Sequence, residues 1–429
     1  MEDLMRGNLS LALTSISKAN LNVLKVLRGR GSAWIVGGWV RDSLMGVKTE
    51  DMDIATTLTP EQIKSIFPRS IMVGASFGTV IIRADSGEFD PEEDMQVTTL
   101  RSEDGYLDRR RPERVTFLEG GDGDESILED LSRRDFTINS MAVDVDGNLI
   151  DPYGGLTDLS NGVLKTVGSA ERRFSEDGLR VLRAFRFLDA GTSGMREMDE
   201  SLEAGIRQAG DFLSGVSKER IGVEISKILT GENTHQIVLK MSSLGVLDQV
   251  FEGHRIDIPT KLSGNHLVNL ALLFRKQNIS SGSLSETLRK LLVLSKRELA
   301  EISMMHDCRS IKVDSSIESV RRFKALIPEI RRGLILDYLD KAGADLIEFR
   351  ISLEGLENEE GVISPLIRGD RLAEVTGLGP GPRLGRLKDW LYRKQIERGL
   401  KTEEEVLSLL SDFDWVGSNH EDWGELQWP

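Results

Sequence analysis

Residues 34–56 read Trp-Ile-Val-Gly-Gly-Trp-Val-Arg-Asp-Ser-Leu-Met-Gly-Val-Lys-Thr-Glu-Asp-Met-Asp-Ile-Ala-Thr. An apolar strand, Trp34 to Val36, runs into Gly37-Gly38. A short helical segment carrying Arg41 and Asp42 follows, and the chain returns as a strand bearing Asp51 and Asp53. Residues i and i+2 of a strand point to one face, so the two carboxylates sit together and repel unless a cation lies between them. Hard oxygen ligands of this kind suit Mg²⁺, which binds through one or two carboxylates plus substrate phosphates. The glycines admit an anion close to backbone N–H groups at a helix start. The stretch reads as a triphosphate cradle beside a metal site.

The rest of the chain bounds that reading. Its 429 residues are enough for two to four domains, and 39% hydrophobic with 29% charged residues is the composition of an ordinary folded protein rather than a disordered one. A single cysteine, Cys308, excludes a disulfide framework and a multi-cysteine zinc site. That cysteine usage fits a reducing, cytoplasmic setting; Met1 to Gly7 shows no signal pattern, and no apolar run reaches the roughly 18 residues of a membrane span. A net charge of −15 argues against nonspecific coating of nucleic acid but leaves room for a local basic track.

From Trp34 to about Val167 the grammar is mixed α/β. Strands are expected at Ala33–Val36, Met52–Ala55, Ser70–Val73, Thr79–Arg83, Met95–Leu100, Val115–Phe117 and Met141–Val145. Helices are expected over Leu9–Leu27, Val40–Met45, Pro60–Ile66, Ile127–Ser132 and Thr137–Ser140. Beyond about Lys165, helical periodicity takes over. The division expected is a head (1–165), a helical neck (166–235), a helical body (236–365) and a helical tail (366–429), an α+β protein with its sheet confined to the head.

Two further stretches carry chemistry. In Arg133-Arg134-Asp135-Phe136-Thr137-Ile138-Asn139, the arginines can neutralise phosphate, while Asp135 and Asn139 can hydrogen-bond a sugar hydroxyl. In Glu176-Asp177-Gly178-Leu179-Arg180-Val181-Leu182-Arg183-Ala184-Phe185-Arg186-Phe187, Asp177, Arg180, Arg183 and Arg186 recur every third residue as one drifting polar stripe, with the phenylalanines read as packing away from it. Such a stripe also suits a solvated helix face. The functional reading is base recognition: an aspartate accepts from an exocyclic amine, and an arginine donates to a ring nitrogen or carbonyl. Cytosine and adenine present an amine beside an acceptor, whereas guanine and uracil present a carbonyl beside an N–H. One side-chain pair can therefore accept C and A and reject G and U.

Taken together, the Gly-Gly…Asp-x-Asp opening, Arg-Arg-Asp-Phe-Thr-x-Asn and Glu-Asp-x-x-Arg resemble the class II tRNA nucleotidyltransferase and bacterial poly(A) polymerase family. The resemblance implies a polymerase-β-like nucleotidyltransferase head followed by an all-helical neck, body and tail. It implies Mg²⁺ on Asp51 and Asp53, phosphates on Gly37, Gly38, Arg41 and Arg134, and ribose on Asp135 and Asn139. Asp177 and Arg180 would be the protein template, with Arg183 and Arg186 reaching the phosphates. Asp151-Pro152-Tyr153-Gly154-Gly155 to Asp158 is similar to the family's link out of the catalytic domain, and Ser217-Lys218-Glu219-Arg220-Ile221 to the motif that orients the templating helix.

Two positions depart from the family pattern. Gln96 stands where a third carboxylate is usual, with Asp94 as its expected substitute, and Gly178 stands where Pro or Ala is common. Gly78-Thr79-Val80 resembles the tRNA-maturing branch. Arg101 to Pro112, with Arg109-Arg110-Arg111, looks like the loop that full CCA addition requires. The expected activity is template-independent, Mg²⁺-dependent addition of CCA to tRNA from CTP and ATP. The alternatives are CC-only or A-only addition, a poly(A) polymerase and a tRNA-binding module without chemistry. More distant is an HD-type phosphohydrolase resting on His306-Asp307, with His254 and His266. Arg383, Arg386, Lys388, Arg393, Lys394 and Arg398 form the basic track expected to meet tRNA phosphates.

Overall fold

The computed structural model describes residues 1–49, 51–73, 78–84, 94–106, 112–118, 123–356 and 364–428. The chain divides into two compact units, Met1–His254 and Arg255–Pro429.

The first unit opens with helices α1 (Glu2–Thr14) and α2 (Lys18–Arg28). The leucine periodicity suggested one helix here, but Ser17 breaks it. Its hydroxyl accepts the Asn20 N–H at 3.1 Å and caps the second helix, which local hydrogen bonding by serine favours. Then come β1 (Ala33–Val36), α3 (Gly38–Leu44), β2 (Asp53–Thr56), α4 (Pro60–Ile66), β3 (Ile71–Val73), β4 (Thr79–Ile82) and β5 (Met95–Thr99). A hairpin of β6 (Arg101–Tyr106) and β7 (Pro112–Phe117) stands apart as its own two-stranded sheet. The stretch expected as a loop is thus strand on both sides, while Arg109 to Arg111 lie outside the described residues. Helix α5 (Gly123–Ser132), β8 (Ala142–Val143) and β9 (Leu149–Ile150) complete the head.

The main sheet runs β3-β4-β5-β2-β1-β8-β9, antiparallel throughout except for the β2–β5 pair. All four residues of β1 are buried, as a central strand covered on both faces must be. The register sets Val36 opposite Asp53, so the Gly-Gly turn and the acidic strand meet at one sheet end. Trp34, Val36, Ala55, Leu100, Ala142 and, from α5, Ile127 and Leu131 form one core. This packing holds the motif after α5 against the same sheet end.

Helix α6 (Gly155–Ser160) occupies the stretch read as a bend, with Asp151 accepting the N–H groups of Gly155 and Leu156 at 2.7 and 2.9 Å. A two-residue parallel pair, β10 (Val163–Leu164) with β11 (Glu197–Met198), ties the end of the head to the neck. Between these strands lie α7 (Ala170–Glu176) and α8 (Leu179–Leu188). Helices α9 (Glu200–Gln208), α10 (Lys218–Ile228), α11 (Thr234–Ser243) and α12 (Val246–Val250) finish the unit.

The described residues of the second unit form helices only, α13 (His266–Leu273), α14 (Ser281–Leu292), α15 (Lys296–Asp307), α16 (Ile317–Leu326), α17 (Glu329–Lys341), α18 (Ile347–Gly355), α19 (Gly369–Thr376), α20 (Pro382–Arg398) and α21 (Glu403–Ser408). Helix α13 is buried from Leu267 to Leu273, as its leucine-rich sequence requires, with the one buried polar side chain, Asn269, bonded to the Ser263 backbone. A separate core around Leu387, Leu391, Val406 and Trp423 closes the end of the chain. There Trp390 stacks on Phe413 at 4.0 Å, and Trp428 packs edge-on against Phe323 at 4.6 Å, so the tryptophan-rich tail is structural.

Candidate active site

A cavity of about 580 Å³ opens in the first unit where the sheet end, the turn after α5 and helix α8 converge. Gly37, Gly38, Arg41, Asp53, Arg134, Asp135, Asn139, Asp177, Arg180, Arg183 and Arg186 all line it. Gly37 adopts φ 71°, a left-handed turn that glycine makes without a Cβ clash, and an added Cβ would sit 2.8 Å from the Arg134 guanidinium. Arg41, one turn on, donates to the Asn139 side-chain oxygen Oδ1 at 2.5 Å and to Asp42 at 2.8 Å.

The arginine pair is anchored from beneath. Buried Asp130 accepts from Arg133 at 2.5 Å and from Arg134 at 3.1 Å. Burial alone would raise the Asp130 pKa, but the two guanidiniums hold it below the ordinary carboxylate value. Asp135, also buried, accepts from Arg183 at 2.7 Å, from the Asn139 amide at 3.2 Å and from the Phe136 N–H at 2.9 Å. Burial opposes its charge as well, and Arg183 and Arg180 overcome it, bringing the pKa down to about 2.

Helix α8 begins where Asp177 accepts the Leu179 N–H at 3.0 Å. The other Asp177 oxygen is bridged by Arg220 of α10 at 2.6 Å, while Arg180 is held by Glu176 and by the Arg133 carbonyl at 3.0 Å. Arg186 pairs with Glu224 at 3.0 Å. Gly178 is where the backbone of Phe212 passes, and a Cβ there would fall 1.7 Å from the Phe212 carbonyl oxygen. The departure at this position therefore reflects a close backbone approach.

Arg133, read as a phosphate partner, and Arg220, read as part of the orienting motif, both line the wall; Asp130 and the half-buried Phe187 line it too, and the sequence reading assigned neither of them to the site. The phenylalanine was read as packing away from the polar stripe, yet it follows Arg183 by four residues and shares its face. Arg220 was visible only as part of a motif, since its partner Asp177 lies 43 residues away.

At the acidic end, Asp53 lines the cavity, whereas Asp51 is exposed and outside the lining. Burial first, and then the charge of Asp51, raises the Asp53 pKa, with Arg134 pulling weakly the other way. Gln96 lines the cavity, because β5 runs parallel to β2 with Val97 opposite Ile54. Asp94 does not fill in for a third carboxylate. It precedes β5, pairs with Arg83 at 3.3 Å and accepts the Ala84 N–H at 3.1 Å. Among the described residues no cluster of three or more His, Cys, Asp or Glu side chains could hold a metal.

Elsewhere, His306 is buried with its ring nitrogen 3.1 Å from the Ile279 carbonyl oxygen, and His266 faces Glu298 at 3.7 Å, so the His-Asp dipeptide is a packing feature. Of the basic residues of α20, Arg383 donates to the carbonyls of Trp415 and Val416 at 2.7 Å, and Arg386 pairs with Glu425. Arg393 and Lys394 both reach the buried Glu397 at 2.7 Å, and Arg322 joins them there. Burial raises the Glu397 pKa, and these three cations bring it down to about 2. Lys388 is half-buried and Arg398 exposed.

Residues 33–165 match the family model of the poly A polymerase head domain, and residues 197–256 that of the probable RNA and SrmB-binding site of polymerase A. The chain is 34% identical over 394 residues to the CCA-adding enzyme of Lactococcus lactis subsp. lactis, covering 89% of this chain and 94% of that one. It is 30% identical over 400 residues to that of Anoxybacillus flavithermus, covering 90% and 94%. Among solved structures, it resembles the Bacillus stearothermophilus CCA-adding enzyme in complex with CTP with a TM-score of 0.71 at 24% identity, over 91% of this chain and 96% of that one. The Thermotoga maritima CCA-adding enzyme complexed with tRNA gives a TM-score of 0.63 at 22% identity, over 94% and 98%.

Proposed function

The chain belongs to the family of CCA-adding enzymes, and from that premise we propose how its own residues divide the work. The reaction is template-independent addition of C, C and A to the 3′ end of tRNA, with CTP and ATP as substrates and pyrophosphate released. The observation that carries the assignment is the cavity itself. It gathers the Gly-Gly turn, Asp53, the Arg134–Asp135–Asn139 turn and the Asp177–Arg180 pair from segments more than a hundred residues apart.

The triphosphate lies against the Gly37-Gly38 turn and the guanidiniums of Arg41, Arg134, Arg183 and Arg186. Arginine forks suit phosphate oxygens geometrically, each presenting parallel N–H groups to two oxygens at once. Asp135, kept ionised by Arg183, and Asn139 face the ribose hydroxyls and select ribonucleotides. Asp177 accepts from the exocyclic amine of C or A, and Arg180 donates to the adjacent ring acceptor. Arg220 and Glu176 hold the pair in place until a base enters, so selectivity is built in before the substrate arrives.

Asp51 and Asp53 hold Mg²⁺. The donor set fits: two carboxylates, one of them half-buried and repelled by the other, suit a cation that takes its remaining ligands from water and phosphate. When bound, such ions acidify the acceptor hydroxyl and neutralise the triphosphate. The chain's contribution is then positioning and charge, which is where nucleotidyl transfer draws its rate enhancement. Gln96 adds a neutral amide beside this pair and leaves the carboxylate work to Asp51 and Asp53.

For tRNA, the tail helix α20 offers Lys388 and Arg398 to the acceptor-arm phosphates. Arg383, Arg386, Arg393 and Lys394 are already engaged in holding the tail together. Such contacts read backbone shape and charge rather than sequence. The setting is the cytoplasm, where tRNA ends are matured, and no described helix is long and apolar enough to cross a membrane.

The assay is incubation of labelled tRNA, truncated before or after CC, with each nucleotide in turn. Two C residues followed by one A, with G and U refused, is expected. Runs of A, or extension by A without prior C, would overturn the reading. Asp53→Ala is expected to abolish all incorporation.

A further inference from the structure

We propose that Phe187 is the positioning residue for the triphosphate: its ring gathers the guanidiniums of Arg41, Arg183 and Arg186, which come from two separate helices, into one anion-binding face. The proposal rests on the assignment of those arginines to phosphate. The Phe187 ring lines the cavity, with the Arg186 guanidinium carbon 4.4 Å from its centroid, that of Arg41 at 5.1 Å and that of Arg183 at 5.2 Å. These distances are within the range at which a guanidinium is attracted to a ring face.

Three like charges in one half-buried patch repel. Each is also pinned by an acid, Arg41 by Asp42, Arg186 by Glu224, and Arg183 by Asp135 with Glu224 at 3.9 Å. Those pairs use only some of the five N–H donors that each guanidinium carries. The aromatic ring attracts all three cations without consuming a donor, so the remaining N–H groups stay available to phosphate oxygens. An aliphatic side chain of similar size fills the volume but supplies no such attraction.

The ring is itself fixed on both sides. Phe136, buried in the Arg-Arg-Asp-Phe turn, meets it edge-on at 5.7 Å and 69°. From behind, the buried Arg196 donates to the carbonyls of Phe187 and Asp189 at 2.8 and 2.7 Å, tying down the C-terminal end of α8. That end carries the partial negative charge of the helix, so a cation there is favourable. Burial first, and then nearby Arg41, lowers the Arg196 pKa to about 10, a sign of how crowded with positive charge this corner is. With three guanidiniums on the ring, its faces are not a platform for the nucleobase, which the Asp177–Arg180 pair reads elsewhere in the cavity.

The test uses the full-length chain and four variants, Phe187→Leu, Phe187→Tyr, Phe187→Trp and Arg186→Gln. The readouts are KM and kcat for CTP and ATP on truncated tRNA, and inhibition by cytidine, which lacks phosphate. Phe187→Leu is expected to raise KM for CTP and ATP alike by about tenfold, with a smaller change in kcat and no change in cytidine inhibition. Tyr and Trp, which keep a cation-attracting ring, should restore KM. An unchanged KM in Phe187→Leu overturns the proposal. So does an equal loss of cytidine inhibition, which would make the ring a base platform or a mere structural support. Should Phe187→Leu fail to fold, Phe187→Trp decides, because a raised KM in that variant contradicts a cation–π role. Arg186→Gln separates the premise from the proposal. If it leaves the KM for CTP untouched, the arginine–triphosphate assignment falls; if it raises KM while Phe187→Leu does not, Phe187 alone is wrong.

Discussion

Replacing Asp135 with Asn removes one charge from the middle of the site and leaves its shape nearly intact. The carboxylate is 7% exposed and is held at a pKa of about 2 against an ordinary value near 3.8, because Arg183 and Arg180 more than offset its burial. At about 1.36 kcal/mol for each pH unit, that depression contributes about 2 kcal/mol to folding at neutral pH. Asn can still accept the Phe136 N–H, but the one acid left in ion-pair reach of Arg183 is Glu224, 3.9 Å away. We therefore expect Asp135→Asn to cost about 2 kcal/mol locally, below the roughly 3–5 kcal/mol of breaking a fully buried pair, since the Arg183 side chain is 31% exposed. The chain contains two compact units, so a single global melt is a poor readout. Amide exchange in peptides spanning 131–143 and 179–188 reads the site directly, with the second unit as internal control. Exchange there should accelerate about thirtyfold at neutral pH. The sign with pH follows from a depressed folded pKa. The stabilisation is fully present above about pH 4 and is lost as pH falls toward 2, so in urea titrations the difference between variant and parent should close over that window. Unchanged protection at neutral pH, or a difference that persists at pH 2, would refute the charge argument. The variant should also incorporate deoxy-CTP more readily relative to CTP.

Three other outcomes follow from named contacts. Gly178→Ala drives a Cβ toward the Phe212 carbonyl and should cost about 1–3 kcal/mol while disturbing Asp177 next to it; wild-type exchange rates over α8 with unaltered refusal of GTP would show that the approach is not as tight as described. Asp53→Asn should abolish nucleotide addition and yet stabilise the Mg²⁺-free head. Burial and Asp51 raise the Asp53 pKa, so its ionised form costs stability as pH rises above that value; the comparison is apo-protein exchange protection near β2 at neutral pH, and a loss of protection would count against the metal-pair reading. Glu397→Gln releases Arg322, Arg393 and Lys394 at once. It should loosen α16 and α20, seen as faster exchange there, while CTP affinity in the first unit stays constant; equal protection would mean that the apolar tail core suffices alone.

Much of the site was legible because its chemistry is local. Asp53 at the start of β2, the turn at Gly37-Gly38 and the three-residue recurrence of Arg180, Arg183 and Arg186 along α8 each belong to one short stretch, whereas Asp51 precedes the strand and Asp177 precedes the helix, so neither follows from an element's periodicity. What sequence could not supply is partner choice across the fold. Arg220 meets Asp177, and Glu224 meets Arg186, only because α10 packs on α8. The same limit explains the tail. A run of basic residues reads as a solvated track, whereas four of them turn inward to Glu397, Glu425 and backbone carbonyls that lie up to about 40 residues away. Phe187 was misread because a drifting stripe was treated as exclusively polar. Gly178 reads only as a departure from the Pro or Ala common there, because the passing Phe212 backbone is invisible in the local sequence.

The central claim is that one aspartate and one arginine choose the base without a nucleic-acid template. Its most direct test is kcat/KM for CTP, ATP, GTP and UTP on tRNA lacking its 3′ end, compared between the parent and Asp177→Asn. Asn offers an N–H toward the carbonyls of guanine and uracil, so preference for C and A over G and U should narrow by about ten- to a hundredfold. A variant that keeps the parent's four-nucleotide ratios, however slow it becomes, would contradict the account.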